Sequence, residues 1–61
     1  MRIKEARIQA GLSVSDVMRE MNVSDAAVYM WESGKASPKL ANLQKLAKLY
    51  GCSVDDLIGD E

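Results

Sequence analysis

Residues 11–38 decide the fold, and they read GLSVSDVMREMNVSDAAVYMWESGKASP. The stretch holds two short helical patterns that are joined by only four residues, Met21-Asn22-Val23-Ser24. Because so short a joint leaves no room for antiparallel packing, we expect the two helices to cross at a steep angle. The second helix of such a pair stands out from the body of the molecule and suits the major groove of DNA. The stretch therefore predicts a nucleic-acid-binding unit.

Capping signals mark the ends of both helices. Ser13 and Asp16 have the spacing of a capping box before the first helix, and Ser24 precedes the second helix as an N-cap. Asn22 accepts positive φ better than other non-glycine residues, so we expect the chain to reverse sharply there. Gly34 is expected to end the second helix, because glycine is the usual residue in a left-handed cap.

Three further helical patterns flank this pair. The first covers residues 2–10, ends at Gly11 and has an apolar stripe of Ile3, Ala6 and Ala10. After the pair, Ser37 followed by Pro38 has the pattern of a cap with proline at the first helical position. The apolar stripe of that fourth helix consists of Leu40, Leu43, Leu46, Ala47 and Tyr50.

A second capping box, Ser53 with Asp56, predicts a short fifth helix. No stretch alternates with the period of two that a half-buried strand requires. With 61 residues, the chain is long enough for one domain only. We therefore predict a single all-α domain of five helices over residues 1–61, with Val28 and Trp31 of the third helix in the core.

The sequence lacks the residues on which most catalytic sites depend. The chain has no histidine, which is the usual general base and metal ligand, and no glycine-rich phosphate loop. Its single cysteine, Cys52, allows no internal disulfide and fits a reducing compartment. No apolar run is long enough to span a membrane, and no leader pattern precedes the first helix. We expect a cytoplasmic protein that is not an enzyme and needs no metal, cofactor or small-molecule substrate.

The formal net charge of −1 hides an uneven distribution. All eight basic residues lie within residues 1–50, together with five of the nine acidic residues, so this part carries +3. The other four acidic residues lie within residues 51–61, which carry −4. Because a polyanionic partner responds to local rather than total charge, we expect the acidic end to face away from any nucleic acid.

Several motifs, in order and at matching spacing, resemble the phage repressor and Cro (XRE-type) helix-turn-helix family. They are Gly11-Leu12-Ser13, Asn22-Val23-Ser24, Trp31-Glu32-Ser33-Gly34-Lys35, Pro38, Leu43-Gln44-Lys45-Leu46-Ala47 and Gly51-Cys52-Ser53-Val54-Asp55-Asp56-Leu57. The resemblance extends from Ile3 to Ile58. It implies a compact lambda-repressor-like domain whose second and third helices bind double-stranded DNA. It also implies a sequence-specific transcriptional regulator, a repressor, that acts as a homodimer.

The resemblance also implies a structural ion pair. In the family, an arginine late in the first helix pairs with the glutamate that follows the anchor residue of the third helix. The matching residues here are Arg7 and Glu32. Arg7 borders an apolar stripe, so it needs an anionic partner if it is partly buried.

With the third helix in the major groove, the side chains facing the bases would be Asp25, Ala26, Tyr29 and Met30. Ala26 and Met30 can contact thymine methyl groups, and Tyr29 can hydrogen-bond a phosphate or a base edge. Asp25 can accept a hydrogen bond from cytosine N4, or it can simply complement the dipole of its helix. Ala26 can also be an ordinary surface residue that makes no contact with DNA.

Phosphate contacts are expected from Lys35 and Lys39, which flank the loop before the fourth helix. Ser13 and Ser24 can add contacts at the starts of the second and third helices. Simpler explanations stay open, because capping alone accounts for both serines and a solvated loop accounts for both lysines.

The expected dimer interface lies in the fifth helix, at Val54, Leu57 and Ile58, although that helix can instead simply close the core. A rival function is a protein-interaction or antitoxin-like module that keeps the fold and binds DNA weakly or not at all. Two departures from the family motivate it: Val14 stands where many relatives have glutamine, and the outward face of the third helix carries no positive charge. Together with Ala26, Tyr29 and Met30, Val14 would then form an apolar docking patch.

Overall fold

The structure, a computed structural model, describes residues 1–59 and contains five helices in this range. They are α1 (Ile3–Gln9), α2 (Val14–Met21), α3 (Asp25–Ser33), α4 (Leu40–Tyr50) and α5 (Val54–Ile58). Residues 1–59 contain no strand, so the predicted all-α class with five helices is confirmed. Asp60 and Glu61, two of the acidic residues at the C-terminal end, lie outside the described residues.

The joint between α2 and α3 has the predicted geometry. Asn22 adopts φ 56° and ψ 50°, and it is the only non-glycine residue with positive φ in residues 1–59. The Ser13 hydroxyl accepts from the Asp16 N–H at 3.1 Å, while the Asp16 carboxylate accepts from the Ser13 N–H at 2.9 Å. The Ser24 hydroxyl accepts from the Ala27 N–H at 3.2 Å. These local hydrogen bonds replace the backbone partners that the first turn of a helix lacks.

The core draws at least one residue from every helix. Its buried members are Ile3, Val17, Val28, Trp31, Leu43, Leu46, Ala47, Tyr50 and Leu57. Val28 and Trp31 are buried as predicted. Leu57 has no exposed surface, so the prediction that it lies in a dimer interface is wrong. It closes the monomer core instead, the alternative that the sequence left open.

The beginning of α4 differs from the prediction. The N-cap is Lys39 rather than Ser37, and Pro38 is buried in the extended segment before the helix. The fixed φ of proline fits an extended segment as well as a helix, so Ser37-Pro38 does not by itself place a helix start. Leu40 becomes the first helical residue and stays 63% exposed. Its predicted place in the buried stripe is therefore wrong.

The end of α1 is a smaller correction. The helix stops at Gln9, and Ala10 follows it as an exposed cap residue, with Gly11 at φ 75° beyond. Because the last turn ends one residue earlier than predicted, Ala10 does not extend the buried stripe.

The packing order leaves one side of α3 uncovered. Among the described helices, α3 packs against α2 and α1, while α4 packs against α1, α2 and α5. Only Val28 and Trp31 of α3 are buried. The helix is thus anchored along one side, and its other side faces outward.

Candidate nucleic-acid interface

The outward side of α3 carries the residues that the sequence predicted to face bases. Asp25, Ala26, Tyr29 and Met30 are all exposed, Tyr29 by 55% and Met30 by 45% of their surface. Two large apolar side chains on consecutive positions are thus about half accessible to solvent. They are available for contact with a partner.

A groove of about 670 Å³ runs beside this face, between α1, α2 and α3. Its lining residues are Lys4, Arg7, Val14, Ala26, Tyr29, Met30, Glu32, Ser33 and Lys35. Of the predicted base-facing residues, Ala26, Tyr29 and Met30 line the groove, and Asp25 does not. Lys35 lines it, and Lys39 does not. The apolar patch of the rival hypothesis, which adds Val14, also coincides with this groove.

Lys4 of α1 lies in the groove and was not predicted there. A signal was present, because Lys4 precedes Arg7 by three residues and therefore shares its side of α1. Since the predicted partner of Arg7 belongs to α3, that side had to face α3. The groove thus has two lysines, one from α1 and one from the segment after α3.

Arg7 joins three parts of the chain at the base of the groove. Its Nε donates to Glu32 Oε2 at 2.7 Å and its Nη2 donates to Glu32 Oε1 at 3.3 Å. Its Nη1 donates to the Leu12 carbonyl at 3.0 Å. The two side chains are only 12% and 6% exposed. The predicted ion pair is present, and its two-point geometry sets the angle between α1 and α3.

The ion pair also affects the pKa values of Arg7 and of a neighbouring tyrosine. The hydrogen bond to Glu32 raises the pKa of Arg7 above its ordinary value, so the guanidinium stays charged. Tyr50 of α4 is buried nearby, and desolvation raises its pKa to about 12, with a smaller contribution from the Glu32 charge. The Tyr50 hydroxyl makes no hydrogen bond within residues 1–59. Arg7 and Tyr50 therefore do not act as acids or bases near neutral pH.

Lys39 and the start of α4 form a second basic feature. Lys39 is the exposed N-cap of α4, and no side chain caps the first turn of this helix. That turn also contains no acidic residue, unlike the first turns of α2, α3 and α5. Unpaired N–H groups and the positive end of a helix dipole attract anions.

Comparison with known proteins gives the family directly. The helix-turn-helix family model matches residues 3–57, which is nearly the whole chain. The chain belongs to the XRE-type helix-turn-helix family. This is a family of DNA-binding transcription regulators and not of enzymes.

Curated relatives agree with this assignment. The CTXphi cryptic phage transcriptional repressor RstR of Vibrio cholerae is 32% identical over 59 residues, which cover 97% of this chain and 53% of the repressor. HTH-type transcriptional regulatory proteins of Saccharolobus islandicus and Saccharolobus solfataricus are 38% identical over 58 residues, which cover 95% of this chain and 18% of theirs. The helix-turn-helix chain thus spans about half of one relative and about a fifth of the others. No solved structure matches it significantly.

Within residues 1–59, neither the cysteine nor the acidic side chains form a reactive thiol or a metal site. Cys52 is half-buried, and desolvation raises the pKa of its thiol, which disfavours the reactive thiolate. Residues 1–59 contain no cluster of three side chains that could hold a metal ion. No helix in this range is long and apolar enough to cross a membrane.

The predicted interface residues of α5 separate into two kinds. Leu57 is fully buried, as described above. Val54 is half-buried against the core, and Ile58 is 40% exposed. Of the three predicted residues, Val54 and Ile58 are therefore the ones with surface that another molecule can reach.

Proposed function

We propose that this chain is a sequence-specific regulator of transcription that binds double-stranded DNA with α3 in the major groove. The observation that carries the proposal is the uncovered side of α3, which is exposed while the rest of the helix is anchored by Val28 and Trp31. The family assignment supports the same function. The repressor named among the relatives favours repression over activation.

The distribution of charge supports phosphate contacts despite the net charge of −1. Lys4, Lys35 and Lys39 form no ion pair within residues 1–59, whereas Arg7 and Arg19 are paired with carboxylates. Unpaired lysines beside an exposed helix can neutralise phosphates without first breaking an internal contact. We assign Lys35 and Lys39 to the sugar-phosphate backbone, with Lys4 as a third contact from α1.

The helix starts would add weaker contacts. The uncapped first turn of α4 presents backbone N–H groups next to Lys39, which is a favourable arrangement for a phosphate oxygen. Ser13 and Ser24 accept cap hydrogen bonds, and each hydroxyl keeps its own hydrogen for donation. Both serines are exposed, so capping and phosphate contact are compatible roles.

We further propose that two copies bind a two-fold symmetric operator. One domain of this size reaches a single half-site, and a dimer would set two α3 helices about 34 Å apart on one face of the duplex. Ile58, with Val54 beside it, is the apolar surface of α5 that remains for the contact between copies.

The test of DNA binding is a titration of labelled mixed-sequence duplex, followed by anisotropy at several salt concentrations. Because bound lysines release counterions, the affinity should fall steeply as salt increases. Lys35→Gln and Lys39→Gln should each reduce the log–log salt slope by about 1. Lys45→Gln is the matched control, since Lys45 lies beside Glu20 and Met21 in a separate groove and should leave the slope unchanged.

The dimer is tested with a two-fold symmetric duplex selected from a random pool. At protein concentrations far above the dissociation constant, saturation at two chains per duplex supports the dimer, and saturation at one chain contradicts it.

The titration with mixed-sequence duplex distinguishes the rival function. The apolar lining of the groove at Val14, Tyr29 and Met30 is the observation that favours a protein-interaction module. Absence of binding even at low salt would overturn the DNA proposal in favour of that module.

A further inference from the structure

Building on the proposed function, we infer that the α3 face recognises thymine by apolar contact with its C5 methyl group rather than by hydrogen bonds to purine edges. The groove offers an apolar surface formed by Val14, Ala26, Tyr29 and Met30. In the major groove, the thymine methyl is the one apolar group that distinguishes a base pair.

The residue types on α3 exclude the usual purine readers. Guanine is read chiefly by arginine or lysine and adenine by asparagine or glutamine. The sequence of α3 is DAAVYMWES, which contains none of these four types. The two lysines of the groove, Lys4 and Lys35, belong to α1 and to the segment after α3, positions that suit the phosphate backbone.

Two of the three polar side chains of α3 that line the groove, Glu32 and Ser33, are already engaged. Both carboxylate oxygens of Glu32 accept hydrogen bonds from Arg7. The Ser33 hydroxyl donates to the Met30 carbonyl at 3.3 Å. Asp25, a possible acceptor for cytosine N4, does not line the groove. The Tyr29 hydroxyl remains, and it can donate to thymine O4.

The apolar groups of the groove, in contrast, keep surface that a partner can reach, although Val14 also packs against the core. Met30 is 45% exposed, Ala26 is exposed and Val14 is half-buried at the first position of α2. A methionine side chain is flexible and polarisable, so it can adapt its shape to a methyl group. Burial of these side chains against thymine methyls would remove apolar surface from water on both sides of the contact.

The same methyl group occurs in 5-methylcytosine, and the two bases differ in the polar group beside the methyl. Thymine presents an O4 acceptor beside the methyl, whereas 5-methylcytosine presents an N4 amino donor there. The Tyr29 hydroxyl can donate to O4 or accept from the N4 amino group, while both oxygens of Glu32, the carboxylate in the groove, are held by Arg7. A duplex with 5-methylcytosine therefore tests the assignment to thymine.

The experiment starts from duplexes selected by the intact chain from a random pool. In the tightest-binding duplex, each thymine is replaced in turn by deoxyuridine, which removes the methyl and keeps the base pair. At one or more thymines in each half-site we expect a loss of about fourfold in affinity, the equivalent of ~0.8 kcal/mol per buried methyl-sized group. The salt slope should not change, and deoxyuridine outside the half-sites should have no effect.

Protein variants locate the contact. Met30→Ala should weaken binding to the thymine duplex and should reduce the additional loss caused by deoxyuridine, because both changes remove the same contact. Ile8→Ala is the control, since Ile8 is 58% exposed on α1 but does not line the groove. A duplex with 5-methylcytosine paired to guanine at the sensitive position should bind more weakly than the thymine duplex.

The outcomes separate the two proposals. Unchanged affinity for every deoxyuridine duplex, with salt-dependent binding intact, would overturn methyl recognition and leave the proposed function standing. Equal binding of the thymine and 5-methylcytosine duplexes would overturn the assignment to thymine. If no duplex is selected and mixed-sequence DNA is not bound at low salt, both proposals fail together.

Discussion

Asn22 is the residue on which the helix-turn-helix depends most locally. It ends α2 in the left-handed region, at φ 56° and ψ 50°, and its N–H donates to the Met18 carbonyl. Asparagine enters this region at little cost because its short polar side chain can bond locally, while a β-branched side chain clashes with the backbone. The angle between α2 and α3 therefore depends on a residue with positive φ, a conformation that few residue types adopt without strain.

Substitution of Asn22 tests this conformation. Asn22→Gly should leave the free energy of unfolding nearly unchanged, because glycine adopts positive φ without strain. Asn22→Val should lower it by about 1–2 kcal/mol. For a chain of this size, that corresponds to a fall in melting temperature of roughly 4–8 °C per kcal/mol. Thermal melts that are equal for the two variants would contradict the left-handed conformation.

Other single residues show what could be predicted from sequence and what could not. The positions of Asn22, Ser13 and Ser24 followed from the sequence because turns and caps depend on neighbours within a few residues. The burial of Leu57 could not be decided in this way. An apolar residue on a short helix serves a core or an interface equally well, and only the packing of α5 against α1 and α4 distinguishes them.

At the scale of helices, α4 and α5 show which sequence patterns predict the start of a helix correctly. Ser53 and Asp56 form the predicted capping box of α5, with hydrogen bonds of 3.0 and 3.1 Å. Ser37 and Pro38 predicted the start of α4 wrongly, since the helix begins at Leu40. A capping box needs two residues that bond each other, whereas a serine–proline pair fits extended and helical segments alike. The reciprocal pattern is therefore the more reliable one.

The capping box of α5 makes stability depend on pH. The Ser53 N–H, with the Ser53 hydroxyl, holds the pKa of Asp56 below its ordinary value of 3.8. Because the folded state lowers this pKa, its stabilising contribution is complete above the unfolded value and is lost as the pH falls through the folded value. The melting temperature should therefore decline on acidification below about pH 4.

The variant Asp56→Asn should make this decline shallower, as measured by thermal melts between neutral pH and pH 2. Asp55→Asn is the matched control, because Asp55 lies in the same first turn and makes no capping hydrogen bond within residues 1–59. A decline for Asp56→Asn as steep as that of the unmodified chain would show that the capping carboxylate is not responsible.

At the scale of the whole molecule, the candidate interface is an assembly of three helices. Ala26, Tyr29 and Met30 were predictable as one face of α3, because helical spacing alone brings them together. The groove itself was not predictable from spacing, since its shape depends on how Arg7 and Glu32 hold α1 against α3. Lys4, in contrast, could have been placed at this groove from sequence, because it shares a side of α1 with Arg7.

The positions of the charged side chains also explain how a chain of net charge −1 can present a surface suited to a polyanion. Lys4 and Lys35 lie at the groove, while Asp55 and Asp56 lie on α5, which does not pack against α3. Local charge at the contact governs association more than the total. Asp55 and Asp56 of the acidic end thus lie on a helix that does not line the groove.

The most direct test of the nucleic-acid surface is a map of backbone amide chemical shifts as duplex DNA is added to the ¹⁵N-labelled chain. At 6.7 kDa the chain is well suited to this measurement. The largest changes should fall at Val14, at residues 24–30 and at Lys35, along the groove and the outward side of α3. Changes centred instead on the separate groove beside Glu20, Lys45 and Lys48 would contradict the assignment of this surface to DNA.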